Sequence, residues 1–140
     1  RRVKKMTMFE SPRVSLCWRE MNTVLWLGMR QVPNSEDVDA LDAQMVQLRE
    51  CSSRCIVHVE HIGDSPLGLP TMDEFKRYAQ LMRSHDALVA SKVQAIIIQS
   101  QDTNGMSLLG FNIFKMLWQP PFVMELVEGQ DAAHAAMAQV

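Results

Sequence analysis

Val-Gln-Ala-Ile-Ile-Ile-Gln, residues 93–99, is the stretch of sequence that decides the fold. β-branched residues dominate this stretch, and neither glycine nor proline interrupts it. A continuous apolar run of this length is typical of a central strand that is covered on both faces of a parallel sheet. We therefore expect a sheet built around this segment, with helices packed on the sheet.

Four further strands are predicted on either side of this segment. Alternating or β-branched runs carry these predictions, and the first two runs lie close enough for an antiparallel hairpin that turns near Met21 and Asn22. The four runs are residues 14–19, 23–29, 55–60 and 122–127.

Helical spacing of apolar residues fills the remaining gaps, beginning with a first helix of about 15 residues. A second helix runs to about Ser84, and an alanine-rich last helix runs to about Gln139. Each helix has polar residues that can cap its first turn: Asn34 or Ser35, Thr71 with Glu74 in a capping box, Asp102, Thr103 or Asn104, and Asp131.

The resulting order is β-β-α-β-α-β-α-β-α. It predicts an α/β fold with a mostly parallel mixed sheet, an antiparallel N-terminal hairpin and helices packed on the sheet. The length of 140 residues fits one domain. We assign residues 13–140 to this domain and residues 1–12 to a basic N-terminal arm.

Basic residues are concentrated at the start of the chain. Arg1, Arg2, Lys4 and Lys5 are four of the 14 basic residues, which leaves 10 basic against 16 acidic residues elsewhere. Nucleic-acid-binding domains usually spread basic residues over one face, so no specific nucleic-acid partner is expected. The arm could touch an anionic surface, and a solvated N-terminal segment is the simpler interpretation.

No apolar run approaches the ~20 residues of a membrane helix, so we expect no transmembrane segment.

The three cysteines, Cys17, Cys51 and Cys55, do not have the pattern of a disulfide framework. An odd number of cysteines favours an intracellular reducing compartment, such as the cytoplasm or an organelle matrix, the mitochondrion included. Cys51 and Cys55 have the spacing of metal ligands, but no second pair follows, so we expect no metal. His58 and His61 are three residues apart in a strand and face opposite ways, which makes a shared metal difficult.

The sequence contains no nucleotide-binding glycine motif and no nucleophile elbow, so we expect neither a cofactor nor enzymatic activity. A catalytic alternative would use Ser65 or Thr71 as the nucleophile and His58 or His61 as the base. A third residue that would orient the base is not evident.

The third predicted helix is apolar nearly all round. One face of a sheet cannot hide all of its large side chains, so the helix is a candidate contact surface; deep burial of the whole helix is the alternative. Trp26 is a second candidate, because both faces of its strand are apolar. The candidate contact residues are Leu108, Phe111, Phe114, Trp118 and Trp26.

This order of elements resembles the STAS fold of anti-sigma-factor antagonists, which is shared in outline with lipid-binding domains of the CRAL-TRIO type. The likeness covers residues 14–139. Its best local matches are residues 113–117, which look like the family's R/K-L-F-type helix end, followed by the strand at 122–127 and the helix with Ala132 and Ala133.

Regulatory members of the STAS family carry a D-S-S-G sequence with a phosphorylated serine, and this chain lacks it. The matching stretch is residues 69–74, where Thr71 falls in the phosphoacceptor region but also serves as a helix cap. The resemblance therefore offers Thr71 and the loop residue Ser65 as candidate phosphoacceptors. Asp73 and Glu74 would repel a phosphate at Thr71.

Two functions are expected from these observations. The first is a non-catalytic protein-interaction module of STAS-like fold, a structural or regulatory subunit whose partners are other protein subunits or copies of itself. The missing catalytic motifs and the apolar third helix favour it. The alternative is a small-molecule or lipid-binding domain of CRAL-TRIO-like type, with a pocket between the sheet and the methionine-rich helices.

Overall fold

The structure, a computed structural model, describes residues 6–51, 53–102 and 105–140. Six strands of this part of the chain form one sheet, and their spatial order equals their order in the sequence. The strands are β1 (Met6–Glu10), β2 (Val14–Arg19), β3 (Val24–Met29), β4 (Cys55–His61), β5 (Val93–Ser100) and β6 (Val123–Glu128).

The sheet is mixed. β1, β2 and β3 pair antiparallel, and β3, β4, β5 and β6 pair parallel. This confirms the predicted α/β class with an antiparallel N-terminal hairpin and an otherwise parallel sheet. The segment that decides the fold is the interior strand β5, in which Val93, Ala95, Ile96 and Ile97 are buried.

β1 has no counterpart among the predicted strands. The register between β1 and β2 shifts between Thr7 and Phe9, and Met8 and Phe9 both pack against the core. Such a bulge breaks the two-residue alternation by which a strand is predicted from sequence. The sheet therefore begins ahead of the expected domain start at residue 13, and residues 1–5 of the expected arm lie outside the described residues.

In the described part of the chain, five helices connect or follow the parallel strands. Asn34 and Thr71 each close a capping box, as the sequence predicts. The helices are α1 (Ser35–Gln44), α2 (Met72–Ser84), α3 (Asp86–Lys92), α4 (Met106–Leu117) and α5 (Gly129–Ala138).

The helices differ from the prediction in the first helix, in α3 and at the start of α5. The single first helix is divided, because α1 ends at Gln44 and a 3₁₀ segment, Met45–Glu50, continues from it. The short helix α3 was not expected. Asp131 lies within the first turn of α5 rather than at its cap.

Two helices begin at a glycine instead of a polar cap. Gly105 precedes α4 with a φ of 60°, and Gly129 begins α5 with a φ of 83°. Glycine adopts such positive φ angles without steric cost and turns the chain sharply into the helix. Asp102 therefore does not cap α4, and Thr103 and Asn104 lie outside the described residues.

The helices are distributed unequally over the two faces of the sheet. The crossover helices α1, α2 and α4 lie over one face, where they meet side chains from β3, β4 and β5. Connections of the same hand place their helices on the same face when the strand order runs in one direction. α5 packs against β5 and β6 on the reverse face. No helix of the described residues is long and apolar enough to span a bilayer.

Candidate functional site

An apolar cavity of about 300 Å³ lies between the sheet and the crossover helices. Alternate residues of the four parallel strands form its floor, and because side chains alternate along a strand, they share one face of the sheet. The floor residues on these strands are Leu25, Leu27 and Met29 of β3, Val57, Val59 and His61 of β4, Ile96, Ile98 and Ser100 of β5, and Met124 and Leu126 of β6.

The roof of the cavity comes from α1, α2 and α4, through side chains that include Leu41, Phe75 and Phe111. The roof does not close onto the floor, since Leu27, Val59 and Ile98 are only half-buried in the interior of the sheet. α4 has no buried residue, although eight of its 12 residues are Met, Leu, Ile or Phe. The apolar face of α4 therefore lies above open space.

The volume of the cavity is large enough for a small guest. An engineered protein cavity of about 150 Å³ with an aliphatic and aromatic lining binds benzene. The cavity here has about twice that volume and a lining that is also mostly aliphatic and aromatic.

One end of the cavity is polar. His61 and Ser100 are the last residues of β4 and β5, and Ser107 lies in the first turn of α4; all three line the cavity. The Oγ atoms of Ser100 and Ser107 are 2.9 Å apart, and Nε2 of His61 lies 2.8 Å from the main-chain oxygen of Ser65. The carboxyl edge of parallel strands is the usual location of binding sites in α/β folds.

The predicted contact residues divide into three groups. Leu108 is 44% exposed, as expected for a contact surface. Phe111 and Phe114 are half-buried and line the cavity. Trp118 is only 4% exposed, so the expectation of exposure is wrong for it, and Trp26, whose strand was expected to need cover, is 9% exposed.

Trp26 is buried on the reverse face by its polar neighbours. Its Nε1 donates a hydrogen bond of 2.9 Å to Glu60, and the guanidinium of Arg19 lies 4.0 Å from its ring centroid. A cation over an indole face is attracted by the ring and shields it from water. Trp26 is therefore held against the reverse face of the sheet by Glu60 and Arg19.

His58 also lies on the reverse face, away from the cavity. Its Nε2 is 2.8 Å from Oε1 of Gln99 on the neighbouring strand. Burial lowers the pKa of His58 below its ordinary value of 6.5, because desolvation penalises the imidazolium; Arg19 and His134 act in the same direction, whereas Gln99 and Glu60 oppose it.

We expect His58 to make the protein less stable in mild acid. The unfolded chain binds the proton at the ordinary pKa, about 6.5, whereas the folded protein binds it only at a lower pH, so stability is lost as the pH falls through this window. His58→Gln retains a hydrogen-bonding side chain and has no such titration. Urea denaturation of both proteins between about pH 5 and 8 measures the effect. The other three of the four histidines remain in both proteins, so an identical pH dependence would contradict the prediction.

The candidate phosphoacceptors and catalytic pairs do not converge on one site. Oγ1 of Thr71 accepts the N–H of Glu74 at 3.1 Å within the capping box. Ser65 contacts His61 through its main-chain oxygen rather than its hydroxyl group. His58 faces the other side of the sheet. The described contacts therefore do not include a serine or threonine hydroxyl hydrogen-bonded to either histidine.

The three cysteines are buried as free thiols. Burial raises the pKa of Cys55 to about 12, with the neighbouring Cys51 acting in the same direction, so the thiol stays protonated at neutral pH. Sγ of Cys51 lies 3.2 Å from the main-chain oxygen of Asn22. Among the described residues, no group of three or more His, Cys, Asp or Glu side chains could hold a metal ion.

The polar end of the cavity does not follow from any sequence motif. The sequence marks His61 only as a difficult metal ligand and an alternative catalytic base, and no motif marks Ser100 or Ser107. One signal in the sequence does point to this end. In β4 and in β5, the alternate residues that face the helices are apolar, and the last of them in each strand is polar: His61 and Ser100. Only the pairing of β4 with β5 shows that these two positions are neighbours.

Comparisons with known proteins do not assign a family or a function to this chain. No family model matches the chain, and no curated protein or solved structure shows significant similarity to it. The likeness to the STAS fold therefore stays a prediction, and the candidate site rests on the cavity itself.

Proposed function

We propose that this chain is a non-catalytic binding domain, of STAS-like or CRAL-TRIO-like type, that takes up an apolar small molecule between its sheet and its crossover helices. The observation that carries this proposal is the apolar cavity of about 300 Å³. Ligand pockets of proteins typically have about 300–1,000 Å³ and are mostly apolar with a few polar groups. The cavity lies at the lower end of this range and has that composition.

A substitution that fills the cavity with a larger side chain of the protein tests this proposal. Val59 lies in the floor on β4, whereas Val123 on β6 is 53% exposed and does not line the cavity. Val59→Phe places a larger apolar side chain in the space that a ligand would occupy. Val123→Phe makes the same substitution on the surface. The neutral fluorescent probe N-phenyl-1-naphthylamine reports binding, and thermal unfolding reports stability.

We expect the wild-type protein and Val123→Phe to bind the probe and to be stabilised by it, by about 2.7 kcal/mol when the probe is present at 100 times its Kd. Val59→Phe should lose at least most of the binding while remaining folded. Equal binding by all three proteins, or no binding by the wild type together with no ligand in native mass spectra, would refute the proposal.

A second candidate function, the protein-interaction module, is favoured by the outer surface of α4. Leu108 and Leu109 are 44% and 46% exposed and Met116 is 80% exposed. None of the three lines the cavity, so a ligand inside the cavity would not cover them. Contiguous exposed apolar side chains often mark contact surfaces for other proteins.

Light scattering and partner capture test this second candidate. If α4 binds another subunit or a second copy, the wild-type chain should exceed the monomer mass or retain a partner. The double variant Leu109→Lys, Met116→Lys should be monomeric and partner-free with unchanged probe binding. A wild-type chain that is strictly monomeric and retains no partner would contradict it.

A further inference from the structure

The cavity has a polarity gradient along the strands. Val93 and Ser100, the first and last residues of β5, both line it. Seven residues of a strand span roughly 23 Å. At the Val93 end the lining is mostly apolar and includes the buried side chains of Leu48 and Val89, and Gln44 at the end of α1 also lines the cavity. At the other end it is formed by His61, Ser100 and Ser107. A volume of about 300 Å³ drawn out over this distance suits an elongated guest with one polar end.

The cavity lining contains no fixed charge that would pair with a charged guest. None of the described residues that line it is Lys, Arg, Asp or Glu, and His61 directs its Nε2 to the main-chain oxygen of Ser65. A carboxylate or ammonium group moved from water into such surroundings loses its hydration without gaining an ion pair, which is strongly unfavourable. The polar end of the guest is therefore neutral.

The hydrogen bonds at the polar end decide whether the guest donates or accepts. Oγ of Ser100 lies 2.6 Å from the main-chain oxygen of Asp102, which can only accept, so the Ser100 hydroxyl donates there. Ser100 in turn accepts the N–H of Asp102 at 3.1 Å. Its contact of 2.9 Å with Ser107 then requires the Ser107 hydroxyl to donate to Ser100. Ser107 is left with oxygen lone pairs, which accept.

His61 is already engaged at this end. Its Nε2 faces the main-chain oxygen of Ser65, an acceptor, so Nε2 donates its hydrogen there. The acceptor that the side chains offer to a guest at the polar end is therefore the hydroxyl oxygen of Ser107.

We propose that the cavity binds a neutral aliphatic molecule that ends in a hydroxyl group, with the hydroxyl hydrogen donated to the hydroxyl oxygen of Ser107 and the chain extending toward Val93. This inference rests on the proposed function, and it adds the chemical class and the orientation of the guest.

Four compounds with the same ten-carbon chain separate the alternatives by displacement of N-phenyl-1-naphthylamine: decan-1-ol, 1-methoxydecane, decane and decanoate. The methyl ether keeps the oxygen but cannot donate a hydrogen bond. One net hydrogen bond corresponds to about 1 kcal/mol, so decan-1-ol should bind about fivefold more tightly than the ether. Decanoate at neutral pH should be the weakest competitor.

Ser107→Ala should abolish the preference for the alcohol over the ether while leaving decane binding unchanged. Ser91→Ala is the matched control, because Ser91 is exposed on α3 and its hydroxyl bonds only the main chain at Leu88. Equal affinities for alcohol and ether, or tighter binding of decanoate, would overturn this inference and leave the proposed function standing. Failure of all four compounds and of the probe to bind would remove both.

Discussion

Replacing Trp118 by alanine is expected to lower the free energy of unfolding by about 3–5 kcal/mol. Trp118 follows α4 directly and is buried between two other rings, with centroid distances of 5.7 Å to Phe114 and 6.2 Å to Phe122. Its removal would enlarge a cavity that it already lines, and would take away the aromatic contacts that hold the end of α4 against the sheet.

Urea denaturation followed by circular dichroism measures this loss without depending on tryptophan fluorescence. Leu108→Ala in α4 is the control, because the side chain of Leu108 is exposed and its removal should change stability by no more than about 0.5 kcal/mol. Equal effects of the two substitutions would contradict the structural role assigned to Trp118.

Gly28→Ala is expected to lower the free energy of unfolding by about 1–3 kcal/mol, the range of overpacked cores. Gly28 lies under the Trp26 ring, and a Cβ atom there would come within 2.5 Å of Cζ2 of Trp26 and 2.9 Å of Cδ1 of Ile62. The indole cannot easily move away, because Glu60 and Arg19 hold it from two sides.

Substitution by alanine at Gly110 should instead raise the free energy of unfolding. A Cβ atom there would lie 3.6 Å from Leu69 and 3.7 Å from Phe75, which are ordinary contact distances. Alanine in a helix interior is more favourable than glycine by roughly 0.5–1 kcal/mol, so Gly110→Ala should stabilise the protein by about that amount. Urea denaturation of Gly28→Ala, Gly110→Ala and the wild-type protein measures both changes in the free energy of unfolding. A loss of stability at Gly110, or none at Gly28, would show that the packing around the respective glycine is misjudged.

The sequence was sufficient for elements whose patterns are local. The β-branched segment at residues 93–99 predicts β5, and the spacing of Thr71 and Glu74 predicts the start of α2. These signals are local because strand propensity and helix capping depend on residues a few positions apart. β1 was not predicted because its local pattern is broken: the bulge between Thr7 and Phe9 interrupts the alternation of apolar and polar residues.

The candidate site was harder to predict, because it depends on distances between layers. Helical periodicity identifies the apolar side chains of α4, but it does not tell how far the helix lies from the sheet. The apolar spacing therefore predicts exposure at Trp118, which is buried. Nor does the sequence indicate that Ile98, in the interior of the sheet, is only half-buried. The neighbouring positions of His61 and Ser100 likewise depend on the register of two strands that are far apart in the chain.

The identity of spatial and sequential strand order has a consequence for synthesis of the chain. Each strand from β2 onward pairs with the strand made immediately before it. Among the described strands, each of β2 to β6 therefore meets a pairing partner that has already left the ribosome. This part of the sheet can be extended at one edge as translation proceeds.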